Sequence, residues 1–164
     1  LKKNKLQENK LYNNILLLSR NKLFYTKLGL SDTFQNRIIL IFLHISFLFV
    51  KLKKGHKIQH YKEFYQRMFN IVFKQIELNM REIGYGDMTV SKNMKFLVTS
   101  FYNILLSCEN YRKKSSKNKG LFLIKYLDLN DTVKSTNNNA LVAYFDTYEA
   151  FSVDLNLDSV LKGD

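Results

Sequence analysis

Ile58, Tyr61, Tyr65, Met68, Val72, Ile76, Met80 and Ile83 recur at spacings of three and four. That is the 3.6-residue period of an amphipathic helix, and it predicts one long helix over residues 56–83. Gly84 and Gly86 break the pattern, and a new helix is predicted from Thr89 or Ser91 with Met94, Leu97, Val98, Phe101, Leu105 and Cys108 on one stripe. Upstream, the thirteen residues Ile38–Val50 are apolar except for His44 and Ser46. A helix apolar on nearly every side belongs at the centre of a bundle. Ser31 or Asp32 is the predicted N-cap, with Gln35 three residues after Asp32 as in a capping box, and Lys51–Gly55 the predicted end.

The flanks are less regular. Residues 1–28 read as one broken or two short helices, with Leu6, Ile15, Leu16, Leu23 and Phe24 facing inward and Gly29 as the stop. Tyr111–Lys119 reads as a helix end and basic loop, Leu121–Asp131 as a short helix, and Asn137–Asn139 as a turn. Leu141, Tyr144, Phe145, Tyr148 and Phe151 form a last stripe, and the chain beyond Asp154 reads as a frayed tail. The expected fold is all-α: one domain over residues 1–155, a bundle of six or seven helices around a buried central apolar helix.

Composition agrees. Hydrophobic residues make up 46% and aromatics 14% of the 164, enough to fill a core of several helices, and there is no proline to interrupt them. The single cysteine, Cys108, cannot form an internal disulfide, which suits a reducing compartment. No run approaches the roughly 20 apolar residues of a membrane span. Leu1–Arg20 is basic but contains Glu8 and no small-residue cleavage site, so no targeting peptide is expected there. The net charge of +12 is uneven: residues 1–125 carry 24 Lys/Arg against 7 Asp/Glu, residues 126–164 carry 2 against 7. Such a basic body attracts anionic lipid, nucleic acid or acidic protein faces. The bias towards lysine and asparagine also fits an AT-rich genome.

No nucleophile, base and orienting group occur together, so catalysis is not expected. His44, alone in an apolar helix, reads as a core histidine bonded to a carbonyl rather than a ligand. His56 and His60 offer at most adventitious zinc binding, so no metal or cofactor is expected. Cys108 reads as a small buried hydrophobe. Arg37 reads either as half of an ion pair across the bundle, with Asp87 or Glu82, or as a contact for a binding partner. Lys51, Lys53, Lys54, Lys57 and Lys62 read as a solvated face or one meeting anionic lipid.

Two stretches are more particular. The first is Phe24-Tyr-Thr-Lys-Leu-Gly-Leu-Ser-Asp32-Thr-Phe-Gln-Asn-Arg37, running into the apolar helix through His44. The second runs Glu77-Leu-Asn-Met-Arg81-Glu82-Ile-Gly84-Tyr85-Gly86-Asp87-Met-Thr-Val-Ser-Lys92-Asn-Met-Lys95, followed by Ser100-Phe-Tyr102. Both resemble the ubiquinol–cytochrome c chaperone family of mitochondria and alphaproteobacteria. Its pattern is roughly G-V-P-D-T-F-x-x-R, then L-R-E-x-G-x-G-D-x-x-V-x-K-x-(M/V)-K and A-F-Y, and the match covers about residues 20–112. Ser31 and Ser91 stand where members often have proline, and Ser100 where they have alanine.

The resemblance implies a non-enzymatic chaperone that binds newly made cytochrome b during early assembly of ubiquinol–cytochrome c reductase. In mitochondria a small partner protein and the ribosome exit are also implied. Its place would be the cytoplasm at the inner membrane, or the matrix side of that membrane; peripheral contact with anionic lipid is expected from the basic charge. No DNA partner is implied. Arg81, Glu82, Gly84, Tyr85, Gly86 and Asp87, with Lys92 and Lys95, read either as a purely structural turn in which Arg81 pairs with Asp87 or a free carbonyl, or as part of a client-binding face. Phe64, Phe69, Phe73, Phe96, Tyr85 and Tyr102 are the aromatics predicted to form an apolar groove for the client. Two competing readings are a basic RNA- or ribosome-binding protein and a peripheral membrane protein without a client.

Overall fold

The computed structural model describes residues 2–55, 58–130 and 138–153. Among these are six longer helices and one single turn, with no strand: α1 (Lys2–Ser19), the turn α2 (Leu23–Thr26), α3 (Phe34–Gly55), α4 (Ile58–Ile83), α5 (Asp87–Glu109), α6 (Ser116–Tyr126) and α7 (Asn139–Val153). A short 3₁₀ turn, Tyr111–Lys113, joins α5 to α6. The fold is the expected all-α bundle. No helix among the described residues is long and apolar enough to cross a membrane. The predicted turn residue Asn137, the tail beyond Asp154, His56, Lys57 and the side chain of Ile58 lie outside what is described.

The apolar run is the axis. Every residue from Ile38 to Phe49 is buried, and α1, α4, α5 and α7 pack around α3. Each Leu, Ile or Phe so enclosed contributes about 1.5–3 kcal/mol. His44 and Tyr144 join α3 to α7. His44 Nδ1 lies 2.6 Å from the Leu40 carbonyl, which only accepts, so Nδ1 carries the proton. The other ring nitrogen, Nε2, therefore accepts from the Tyr144 hydroxyl at 2.6 Å, and the Tyr148 hydroxyl donates to the His44 carbonyl at 3.0 Å. Burial pushes the His44 pKa down to about 4, so the ring is neutral at physiological pH.

The start of α3 differs from the predicted cap. Thr33 is the cap: its Oγ1 accepts from the Asn36 backbone N–H at 3.1 Å. Asp32 instead takes a bidentate contact from Arg37, at 2.8 and 3.0 Å. Asn36, 0% exposed, binds a distant loop. Its Nδ2 donates to the carbonyls of Ser31 (2.7 Å) and Asp128 (2.8 Å), and its Oδ1 accepts from the Asp128 N–H (2.8 Å). An isolated antiparallel bridge between Leu30 and Leu129 completes this staple, and Gly29 makes it possible by adopting φ +76°.

Helical phase explains where predicted core residues face out. On α1 the buried stripe is Glu8, Leu11, Tyr12, Ile15 and Ser19, which leaves Leu6 in solvent. Glu8 is ion-paired with Arg67 of α4, tying the two helices. On α7 the phase selects Ser152 and leaves Phe151 exposed, while Ile83 projects past the end of the core. Helix α6 begins earlier than predicted because Ser115 caps it, accepting from the Asn118 N–H at 3.2 Å. Tyr111, in the stretch read as loop, is buried.

Candidate functional site

The elbow between α4 and α5 is built by the two glycines in different ways. Gly84 adopts φ +103°, the conformation that ends a helix with a left-handed residue. The Tyr85 N–H donates to the Met80 carbonyl at 3.1 Å and the Gly84 N–H to that of Arg81 at 3.0 Å, the paired bonds of a Schellman motif. Gly86 is in an ordinary extended conformation, φ −72°, at the N-cap of α5. Arg81 then bridges the two helices, donating to Asp87 at 2.5 Å and to Glu77 at 3.1 Å. These bonds, to Asp87 first, raise the guanidinium pKa. Asp87 also places a carboxylate at the positive end of α5. The reading of Arg81 as a partner of Asp87 therefore holds.

Beside this bridge an open groove of about 700 Å³ runs between α4 and α5. Its floor is Val90, Met94 and Val98, and its rim is Glu77, Arg81, Asp87, Ser91, Lys95 and Thr99. A shallower depression next to it is lined by Asp87, Met88, Ser91, Lys92 and Lys95. Met88 is 88% exposed and Phe96 61%, and Ile83 and Tyr85 are also exposed.

Arg81, Asp87, Lys92 and Lys95 thus come together, with Gly84, Tyr85 and Gly86 forming the adjacent turn. Glu82 does not line this groove. It lines a separate cleft between α1, α3 and α4, together with Arg37. The expected ion pair of Arg37 with Asp87 or Glu82 is not made: Arg37 is about half exposed and held by Asp32 on the surface. Asp32 immediately precedes α3 and reaches Arg37 over about one turn through Nε and Nη2, and the guanidinium lies 6.0 Å from the Tyr25 ring rather than across the bundle. Tyr102 is exposed further along α5, stacked on Phe69 at 6.1 Å.

Of the predicted groove aromatics, Phe96, Tyr85 and Tyr102 face solvent. Phe64 and Phe73 do not: they are buried against Phe49 (6.0 Å) and Phe42 (5.5 Å), because they follow the inward phase of α4. Phe69 is half-buried against Phe101. Met88 escaped the sequence reading. Its signal was phase, since it lies well off the Met94–Leu97–Phe101 stripe and so cannot enter the core.

Chemically, the groove offers apolar contact, one clamped arginine and Lys95, with Lys92 in the depression next to it. Among the described residues no group of three or more His, Cys, Asp or Glu is placed to hold a metal. Cys108 is buried, with its thiol pKa raised by desolvation, and takes no part in the site.

A crystal structure of the Cbp3 homolog from Brucella abortus has the same fold, with a TM-score of 0.81 and 22% identity over 99% of this chain and 89% of that one. No curated protein sequence matches. The sequence profile described as ubiquinol-cytochrome C chaperone matches residues 26–119, from the end of α2 into α6. That span is more than half of the chain and contains the central helix, the elbow and its groove, and on it the chain belongs to the ubiquinol–cytochrome c chaperone family.

Proposed function

We propose that the chain binds newly made cytochrome b and holds it during biogenesis of ubiquinol–cytochrome c reductase, by binding alone and without catalysis. The observation that carries this reading is a groove with an apolar floor beside the elbow, where Met88 and Tyr85 stand uncovered, with Phe96 exposed further along α5. An apolar patch with a polar rim is what a segment of an unfinished membrane protein requires. Methionine suits such a client because its unbranched thioether repacks around different side chains. Lys95 on the rim and Lys92 in the adjoining depression add positive charge, which attracts carboxylates flanking the client segment. A small partner protein and the ribosome exit belong to the same reading, by resemblance to mitochondrial members.

A photo-cross-linking amino acid in place of Met88 or Phe96 tests this in cells. Cytochrome b is the expected trapped protein, and deletion of the gene is expected to lower assembled cytochrome b. Unchanged cytochrome b in the deletion strain would sink the reading. Trapping of ribosomal RNA alone would favour the RNA-binding alternative.

A further inference from the structure

The far end of α5 carries a second surface of different chemistry. Helix α5 has 23 residues and so separates this end from the elbow by about 34 Å. Here the C-termini of α3 and α5, the 3₁₀ turn and the end of α7 converge on a small pocket of about 170 Å³ that includes Lys51, Lys54, Arg112, Glu149 and Ser152. Lys53 also ends α3, Lys113 and Lys114 follow Arg112, and Lys117 opens α6. Two carboxylates answer these seven cations: Glu109 pairs with Lys53 at 3.0 Å and Glu149 with Arg112 at 3.1 Å. Among the described residues Lys51, Lys54, Lys113, Lys114 and Lys117 are in no ion pair. Two large apolar side chains are exposed at the same end of the bundle: Phe151 in the last turn of α7 and Leu106, one turn before Glu109 in α5.

We propose that this end of the bundle docks on an anionic lipid bilayer, with Phe151 and Leu106 entering the headgroup boundary and the lysines lying over lipid phosphates. Clusters of four to eight Lys or Arg beside exposed apolar residues are the chemistry of peripheral attachment to acidic membranes. The unpaired cations are all lysines. A flexible point charge suits a fluid headgroup layer, whereas fixed phosphates and base edges of a nucleic acid favour the planar fork of arginine, and the arginine here is committed to Glu149. This surface is independent of the client groove, so the two can fail separately.

The test is flotation of the purified chain with phosphatidylcholine vesicles containing one-third phosphatidylglycerol, against vesicles of phosphatidylcholine alone. Binding is expected with the anionic vesicles only. Lys54→Glu/Lys113→Glu/Lys117→Glu, all at exposed positions, is expected to lower the partition coefficient about 100-fold, taking about fivefold for each lysine. Lys74→Glu/Lys92→Glu/Lys95→Glu makes the same change in net charge on the α4–α5 hairpin and is expected to retain most of the binding. Phe151→Ser leaves the charge untouched and is expected to weaken binding severalfold, which keeps the test decisive if the first triple variant misfolds. Equal loss in both triple variants, no flotation of the unaltered chain, or full displacement from the vesicles by a short single-stranded RNA would each overturn the proposal.

Discussion

The frame around α3 and the elbow between α4 and α5 use polar groups in opposite ways. In the frame, Asn36, His44 and Glu8 are buried and each is bound to a group on another element. At the elbow, Arg81, Asp87 and Glu77 bind one another near the surface, and nearby apolar side chains face water. Buried polar groups are costly to strand and therefore fix one arrangement, whereas exposed ones hold a turn without constraining what comes to rest beside it. The molecule is rigid where it is closed and leaves its apolar surface where it is open.

Substitutions can break that contrast. The largest effect is expected for Arg67→Met, which strands the buried carboxylate of Glu8 and should cost about 4 kcal/mol in urea denaturation. The double variant Glu8→Leu/Arg67→Met should recover most of that loss. A clearly smaller loss in the single variant would mean that Glu8 reaches water.

His44 comes next. Its native pKa of about 4 lies below the unfolded value of 6.5, so between those two pH values the unfolded chain takes up a proton and the folded chain does not. Its contribution is complete above pH 6.5 and is lost as the pH falls towards 4, amounting to about 3 kcal/mol. His44→Phe should have lower stability at neutral pH, through loss of the Tyr144 bond, but a shallower decline on acidification. Parallel pH profiles of the two proteins would contradict the buried neutral ring.

Asn36→Ala removes three hydrogen bonds, one of them the bond of the Asp128 N–H to a buried side chain, while the Ser31 and Asp128 carbonyls keep backbone donors, for about 2 kcal/mol. The elbow glycines give the smallest effects and separate from each other. Gly84→Ala forces a side chain into the left-handed region at about 1 kcal/mol, while Gly86→Ala, with open space around it and a negative φ, should cost about 0.5 kcal/mol or less. Equal effects at the two positions would mean that the helix-ending geometry is not what Gly84 supplies.

The sequence carried the frame more fully than its fastenings. Period and apolar run together disclose α3, α4 and α5, because burial of a stripe is a property of one helix at a time. The partner of Arg37 was not legible, since Asp32 is equally good as a helix cap or as an ion-pair partner and only the backbone decides between them. Asn36 was hidden because two of its three bonds reach Asp128, 92 residues away. The start of α6 was obscured by its lysines and asparagines, although the Ser115 cap was there to be read. At the elbow the turn followed from its glycines and the Arg81–Asp87 pair from their spacing. The split of Arg37 and Glu82 into another cleft required the packing of α1 against α4.

The long reach of the contacts that close α3 has a consequence for synthesis. His44 waits for Tyr144 and Tyr148, 100 and 104 positions later, and Asn36 waits for Asp128. While the chain emerges from the ribosome amino end first, its most apolar helix therefore waits for about 100 further residues to be made before its last cover arrives. Until that cover arrives, this chaperone is itself an aggregation-prone nascent chain.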